Sequence, residues 1–257
     1  MAYEFIHTEQ RDHVTVITMN RPEVMNAVHP AMAAEMQAAF DGFAADPDAW
    51  VAILTGAGAR AFSAGNDLKW TATHGAPTLP PSGFGGFTSR FDLYKPVIAA
   101  VNGFALGGGL ELAIACDIVV AADHATLGLP EPRVGLMAAA GGVHRLPRHI
   151  PLKVAMGMML TGRPITAQQG RELGLVNEVV PAGELRACAE RWAGWIAECS
   201  PLSVQATKQA ALDGLGRPLP EALAARYPAV STLFRSADAK EGPLAFAQKR
   251  KPQWQGR

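Results

Sequence analysis

Apolar and polar residues alternate near the start of the chain, condense into apolar blocks of strand length, and later recur at helical spacing. Tyr3–His7 and His13–Met19 predict two short strands, the second reading His-Val-Thr-Val-Ile-Thr-Met with β-branched enrichment. Asn20-Arg21-Pro22 breaks that pattern. Pro30 then suits a first helical turn, and Met32, Met36, Phe40 and Phe43 follow at helical spacing, which predicts one apolar helix face. Val51–Leu54 is a buried strand closed by Thr55-Gly56, and Val97–Val101 another. Leu110–Cys116 reads as an apolar helix and Asp117–Ala121 as a strand. Pro132 bars a regular helix from starting before it, and Gly141-Gly142 opens a helix toward Leu146. From Pro151 onward helices begin near Leu152, Thr166, Gly183, Pro201 and Pro218, with one short strand at Val176–Val180. A mixed front and an all-helical rear predict the α/β class, with a core over 1–197 and a helical region over 198–257.

Between these elements, Thr71–Ser89 is the least regular stretch, carrying Gly75, Pro77, Pro80, Pro81, Gly83, Gly85 and Gly86. Loops this long in a compact domain tend to be functional or disordered. Phe84 and Phe87 within it either line a pocket or anchor the loop.

Composition narrows the classes. The 257 residues include 49% hydrophobic and 18% charged, the make-up of a folded globular protein rather than a disordered one. Lys plus Arg and Asp plus Glu number 23 each, so no global field points to nucleic acid or a membrane surface. Cys116, Cys188 and Cys199 form neither a CxxC nor a metal spacing and read as reduced thiols. The first residues lack the apolar core of a signal peptide, so the expected location is cytoplasmic.

The candidate chemistry centres on Ala99–Glu111, where three glycines, Gly107-Gly108-Gly109, join a strand to a helix. A helix N-terminus leaves its first N–H groups unpaired, and glycine lets another molecule approach them closely. Glu111 falls in the first turn of an otherwise apolar run, Leu110-Glu111-Leu112-Ala113-Ile114, where an unpaired charge is costly to bury. The same turn could serve tight packing alone. Glu131, twenty residues on, is a second carboxylate beside Pro130, and paired carboxylates can hold and activate one water. Ala64-Gly65 forms another glycine-bearing turn, whose amide with that of Gly108 could polarise a carbonyl. Gly56-Ala57-Gly58-Ala59-Arg60-Ala61 imitates a dinucleotide fingerprint, but turn residues follow it and no acid stands at the required distance. Ser63 lacks a nucleophile-elbow context, and the seven histidines show no metal-ligand spacing.

Taken together, several stretches closely resemble the crotonase family, the enoyl-CoA hydratase/isomerase superfamily. They are Asn20-Arg21-Pro22 with Asn26-Ala27, Ala61–Leu68, Lys95-Pro96 through Glu111, Leu129-Pro130-Glu131, Gly141-Gly142, Leu160-Thr161-Gly162 and Glu241–Phe246. The resemblance spans essentially the whole chain. It implies a spiral of strand-strand-helix units with a C-terminal helical region that drives formation of homotrimers, which commonly pair into homohexamers. It implies an acyl-CoA thioester as substrate, an oxyanion hole from the Ala64 and Gly108 amides, and no separate cofactor or metal. Glu111 is expected to activate water at C3 and Glu131 to transfer the proton at C2. Ala61, Asp67, Leu68, Gly107 and Pro130 are expected at the substrate, and the Ala139 amide at the water. Phe246 and Lys249 match residues that reach CoA, often from a neighbouring subunit. Two departures stand out. Ala138-Ala139-Ala140 replaces the usual Pro-Gly-Ala, and Glu23 replaces a lysine common after Arg-Pro.

A narrower likeness links the tail Leu244–Arg257 and Gly85-Gly86-Phe87 to the carnitinyl-CoA dehydratase branch, whose substrate carries a trimethylammonium group. Trp70, Phe84 and Phe87 are the aromatic faces available for such a cation. Hydration of 2-enoyl-CoA leads. Carnitinyl-CoA dehydration, double-bond isomerisation and silent acyl-CoA binding are the alternatives.

Overall fold

The computed structural model describes residues 3–75 and 78–257, so Pro77 of the irregular stretch lies outside it. In chain order, a hairpin of β1 (Ile6–Arg11) and β2 (Val14–Met19) leads into α1 (Pro30–Ala45). Three turns of a spiral follow. The first is β3 (Val51–Gly56), β4 (Ala61–Ser63) and α2 (Leu68–His74); the second is β5 (Val97–Val101), β6 (Phe104–Leu106) and α3 (Gly108–Ala115). The third is β7 (Ile118–Ala122), β8 (Thr126–Gly128) and a 3-10 turn over Glu131–Val134. Then come α4 (Gly142–His149), α5 (Leu152–Thr161), β9 (Ile165–Thr166), α6 (Ala167–Glu172), β10 (Glu178–Val180) and α7 (Leu185–Ala197). The helices α8 (Pro201–Gly214), α9 (Leu219–Ala224), α10 (Pro228–Arg235) and α11 (Asp238–Ala247) complete the chain.

Each spiral turn sends its longer strand to one sheet and its three-residue strand to a second. The larger sheet runs β1-β2-β3-β5-β7-β10, parallel from β2 onward, and the smaller runs β4-β6-β8-β9. This is the expected strand-strand-helix repeat. Its central strands are apolar throughout, all five residues of β5 being buried, as parallel strands covered on both faces must be. Across β3, β5 and β7 packs α7, while α3 packs against β4, β5 and β6. Met32, Met36, Phe40 and Phe43 on α1 are all buried, as their spacing predicts. Helices α8 to α11 pack mainly on one another, and α8 also touches α7 and pairs Lys208 with Asp117 at 2.7 Å.

Two buried or half-buried asparagines fasten the turn between β3 and β4. Asn26 Nδ2 donates to the Ala57 and Ala61 carbonyls at 3.0 and 2.8 Å, and Asn102 Nδ2 donates to those of Gly56 and Gly58 at 2.9 and 2.6 Å. The fingerprint-like Gly56–Ala61 segment is thus a turn, with its polar backbone satisfied by side chains.

Three expectations shift. The first strand runs Ile6–Arg11 rather than Tyr3–His7, because it is an outer strand with only Ile6 buried and no apolar alternation to mark it. Leu68–His74 is helical although it buries no residue, so it has no apolar stripe to read; Asp67 starts it by accepting from the Trp70 N–H at 3.0 Å. Phe62 and Ser63, read as turn chemistry, belong to β4.

Candidate active site

The strand β6 meets α3 at Gly107, whose φ of +55° and ψ of −126° suit glycine alone. That bend aims the first turn of α3 into a cleft of about 470 Å³ lined by Gly107, Gly108, Glu111, Pro130 and Glu131. Close packing makes glycine obligatory on this turn. A Cβ on Gly109 would lie 2.0 Å from the Ser63 carbonyl oxygen, and one on Gly108 2.5 Å from the Phe84 ring.

Glu111 is 3% exposed, and its Oε1 accepts the Gly142 N–H at 2.8 Å. Burial pushes its carboxyl up to about 7; the Gly142 amide works against that shift and the nearby Glu131 charge adds to it. Glu131, in the 3-10 turn, is also raised by burial. Its Oε2 is buried and has no hydrogen-bond partner among the described residues. Gly107 allows this approach, since a Cβ there would sit 2.9 Å from Glu131 Oε1. Two carboxyls that both resist ionisation therefore share one cleft, an arrangement that holds a proton near neutrality.

The amides sort differently from expectation. The Ala64 N–H donates to the Met25 carbonyl at 2.9 Å and is not free for a ligand. Two residues on, Asn66 forms a parallel bridge with Val28 in which the Gly65 carbonyl and the Asp67 N–H face Val28. Alternation turns the Asn66 N–H the other way, and it has no acceptor among the described residues. Gly65 stands against the Gly108 amide, which its Cβ would approach to 2.6 Å. The free pair beside the cleft is thus Asn66 and Gly108, replacing Ala64 and Gly108. Ala139 also lines the cleft, but its N–H is spent on the Met137 carbonyl at 2.7 Å, so the amide expected there is corrected to a wall position.

Leu68 and Pro130 line the cleft as expected. Ala61 does not: it is 1% exposed, and its carbonyl accepts from Asn26 and Asn102. Asp67 caps α2 and pairs with Arg21 at 2.9 Å; against the cost of burial, the Trp70 N–H first and the Arg21 guanidinium second hold its carboxyl below the ordinary range. Phe246 is 87% exposed on α11, and Lys249 follows that helix with φ +54°; neither lines this cleft. Of the three aromatics, only Phe84 faces the cleft. Phe87 stacks on Phe40 in the core and Trp70 stacks on His74. Leu79, Arg133, Val134, Leu136 and Met137 also line the wall, unforeseen because no periodic pattern marks a loop. No group of His, Cys, Asp and Glu among the described residues could hold a metal ion.

The enoyl-CoA hydratase/isomerase family model matches residues 9–257. This chain belongs to that family. Carnitinyl-CoA dehydratase from Escherichia coli K12 is 42% identical over 263 residues, covering 99% of each chain, and that from Proteus mirabilis is 42% identical over 261 residues, covering 98% of each. The crystal structure of an enoyl-CoA hydratase from Mycobacterium tuberculosis superposes with a TM-score of 0.93 at 42% identity, covering 98% of this chain and 99% of that one. The family assignment and the spiral architecture make this a crotonase-fold enzyme of the lyase type.

Proposed function

We propose that the enzyme adds water across the C2=C3 bond of 2-enoyl-CoA thioesters, with the thioester oxygen held by the Asn66 and Gly108 amides. The observation that carries this reading is the pair of raised carboxyls facing one cleft beside a glycine-opened helix N-terminus. In the hydration direction, ionised Glu111 takes a proton from water as its oxygen bonds to C3. The C2=C3 electrons move toward the thioester, whose oxygen gains charge where two fixed N–H donors are most effective. Protonated Glu131 then delivers its proton to C2 and the carbonyl re-forms. Burial suits both roles, because a pair that cannot easily ionise twice keeps one acid and one base.

The cleft wall favours an acyl chain without positive charge. Leu68, Leu79, Phe84, Val134, Leu136 and Met137 are apolar, and Arg133 adds a cation of its own. A trimethylammonium group would meet Arg133 and find one aromatic face, so the carnitinyl-CoA reading is second, supported by the dehydratase relatives. Isomerisation would leave one of the two carboxylates without a task, and silent binding would leave both.

In this reading CoA is part of the substrate, and no further cofactor or metal takes part. Residues 1–197 carry the chemistry, and 198–257 the assembly into a homotrimer or homohexamer. The bare Phe246 and Lys249 reach the CoA of a neighbouring subunit. No described helix is long and apolar enough to cross a membrane. In this reading the enzyme works in the cytoplasm. The test is loss of enoyl-thioester absorbance with crotonyl-CoA, longer 2-enoyl-CoAs and crotonobetainyl-CoA run side by side. Turnover of the simple thioesters is expected; turnover of the betaine alone would transfer the enzyme to the second reading.

A further inference from the structure

A second cavity of about 470 Å³ adjoins the catalytic cleft, sharing Leu79, Phe84, Ala139 and Ala140 as a common wall. Its character is opposite. His144, Arg145 and Arg148 on α4 line it, with the Ser89 hydroxyl beside them, and no carboxylate does. Neither guanidinium has a carboxylate within ion-pair distance among the described residues. Arg145 spends one N–H on the Thr88 carbonyl at 2.6 Å, and Arg148 one on that of His144 at 2.7 Å. A guanidinium carries five donors in a planar fork that matches a carboxylate, so most of this capacity is uncommitted.

We propose that this basic cavity receives a carboxylate at the far end of the acyl chain, making the preferred substrates mono-CoA thioesters of 2-enedioic acids. The inference rests on the hydratase reading for the position of the thioester. An apolar chain running along Leu79 and Phe84 carries its terminal group to the shared wall and the arginines beyond. This placement leaves the chemistry at C2 and C3 unchanged and adds selection by charge.

The test measures Kd and kcat/KM for trans-2-octenedioyl-CoA, its terminal methyl ester and trans-2-octenoyl-CoA. The hexenedioyl and hexenoyl pair repeats it at shorter reach. The wild-type enzyme is expected to favour the thioester bearing a free terminal carboxylate by about tenfold over its neutral counterparts in both constants, a difference of about 1.4 kcal/mol. In Arg148→Gln that ratio should fall toward one, and in Arg148→Glu it should invert. Equal constants for diacid and neutral thioesters, with the neutral ones turned over, would overturn the inference and leave the hydratase reading standing. Absence of turnover with every thioester would sink the hydratase reading, while a diacid preference in Kd would still support the cavity's role. A weaker Kd for CoA alone in Arg148→Gln, with the diacid ratio unchanged, would give the cavity to CoA phosphates and overturn the inference.

Discussion

The floor and the outer wall of the cleft are built on opposite terms. The floor, at the start of α3, is so tightly packed that a single methyl on Gly109 or Gly108 would strike backbone or ring. The wall over 134–137 exposes Val134, Leu136 and Met137, and a Cβ on Gly135 would meet nothing within 4 Å. Reacting atoms need fixed partners, whereas an acyl chain needs only an apolar surface with room to adjust. Under the proposed mechanism, the first region carries the chemistry and the second only touches the acyl chain.

The sharpest break in that contrast comes from the carboxyls. Glu111→Gln and Glu131→Gln should each lower kcat by about 10²–10⁴-fold while CoA binds nearly as before, read from enoyl absorbance and calorimetry. Next come the amides. Asn66→Pro deletes the free N–H and should cost about 10²–10³ in kcat, while Asn66→Ala keeps it and should retain most activity. Full activity in the proline variant would remove the Asn66 amide from the mechanism. In thermal unfolding, Gly109→Ala should lose several kcal/mol, on the order of an overpacked core position, whereas Gly135→Ala pays only its φ of +71°, about 1 kcal/mol.

The pH dependence of stability, read against Glu111→Gln, tests Glu111 together with its coupling to Glu131. Below about 4.5 the residue is protonated in both folded and unfolded chains and contributes no difference. As pH rises toward 7 the unfolded chain ionises first, so the wild-type protein loses stability relative to Glu111→Gln. The gap should reach roughly 3 kcal/mol above pH 7 and vanish at low pH. The smallest effect belongs to the wall. Met137→Ala, at a side chain 62% exposed, should change stability by less than about 0.5 kcal/mol and alter only the ranking of acyl chains.

Elements with a buried face were legible in the sequence. The α1 stripe, the β5 block and the glycine-to-Glu111 junction all carry burial as a pattern, and all three lie where that pattern places them. The α2 helix, the three-residue strands of the smaller sheet and the bounds of the first strand were not, because polar or very short segments draw their structure from neighbours and caps. The site divided along the same line. Glu111 was visible as a charge in an apolar run, but the choice between Ala64 and Asn66 depended on which N–H Met25 claims. That contact joins segments nearly forty residues apart and leaves no local trace.

The exposed, polar first strand has its own consequence. A sheet whose rim offers unpaired backbone invites another strand to add, which is how native folds begin to aggregate. Here one rim is β1, whose His7, Thr8, Glu9, Gln10 and Arg11 are exposed, with Glu9 engaged by Arg186. The other rim is β10, only three residues long. Charge guards one end and brevity the other, so the sheet resists growth into a fibre.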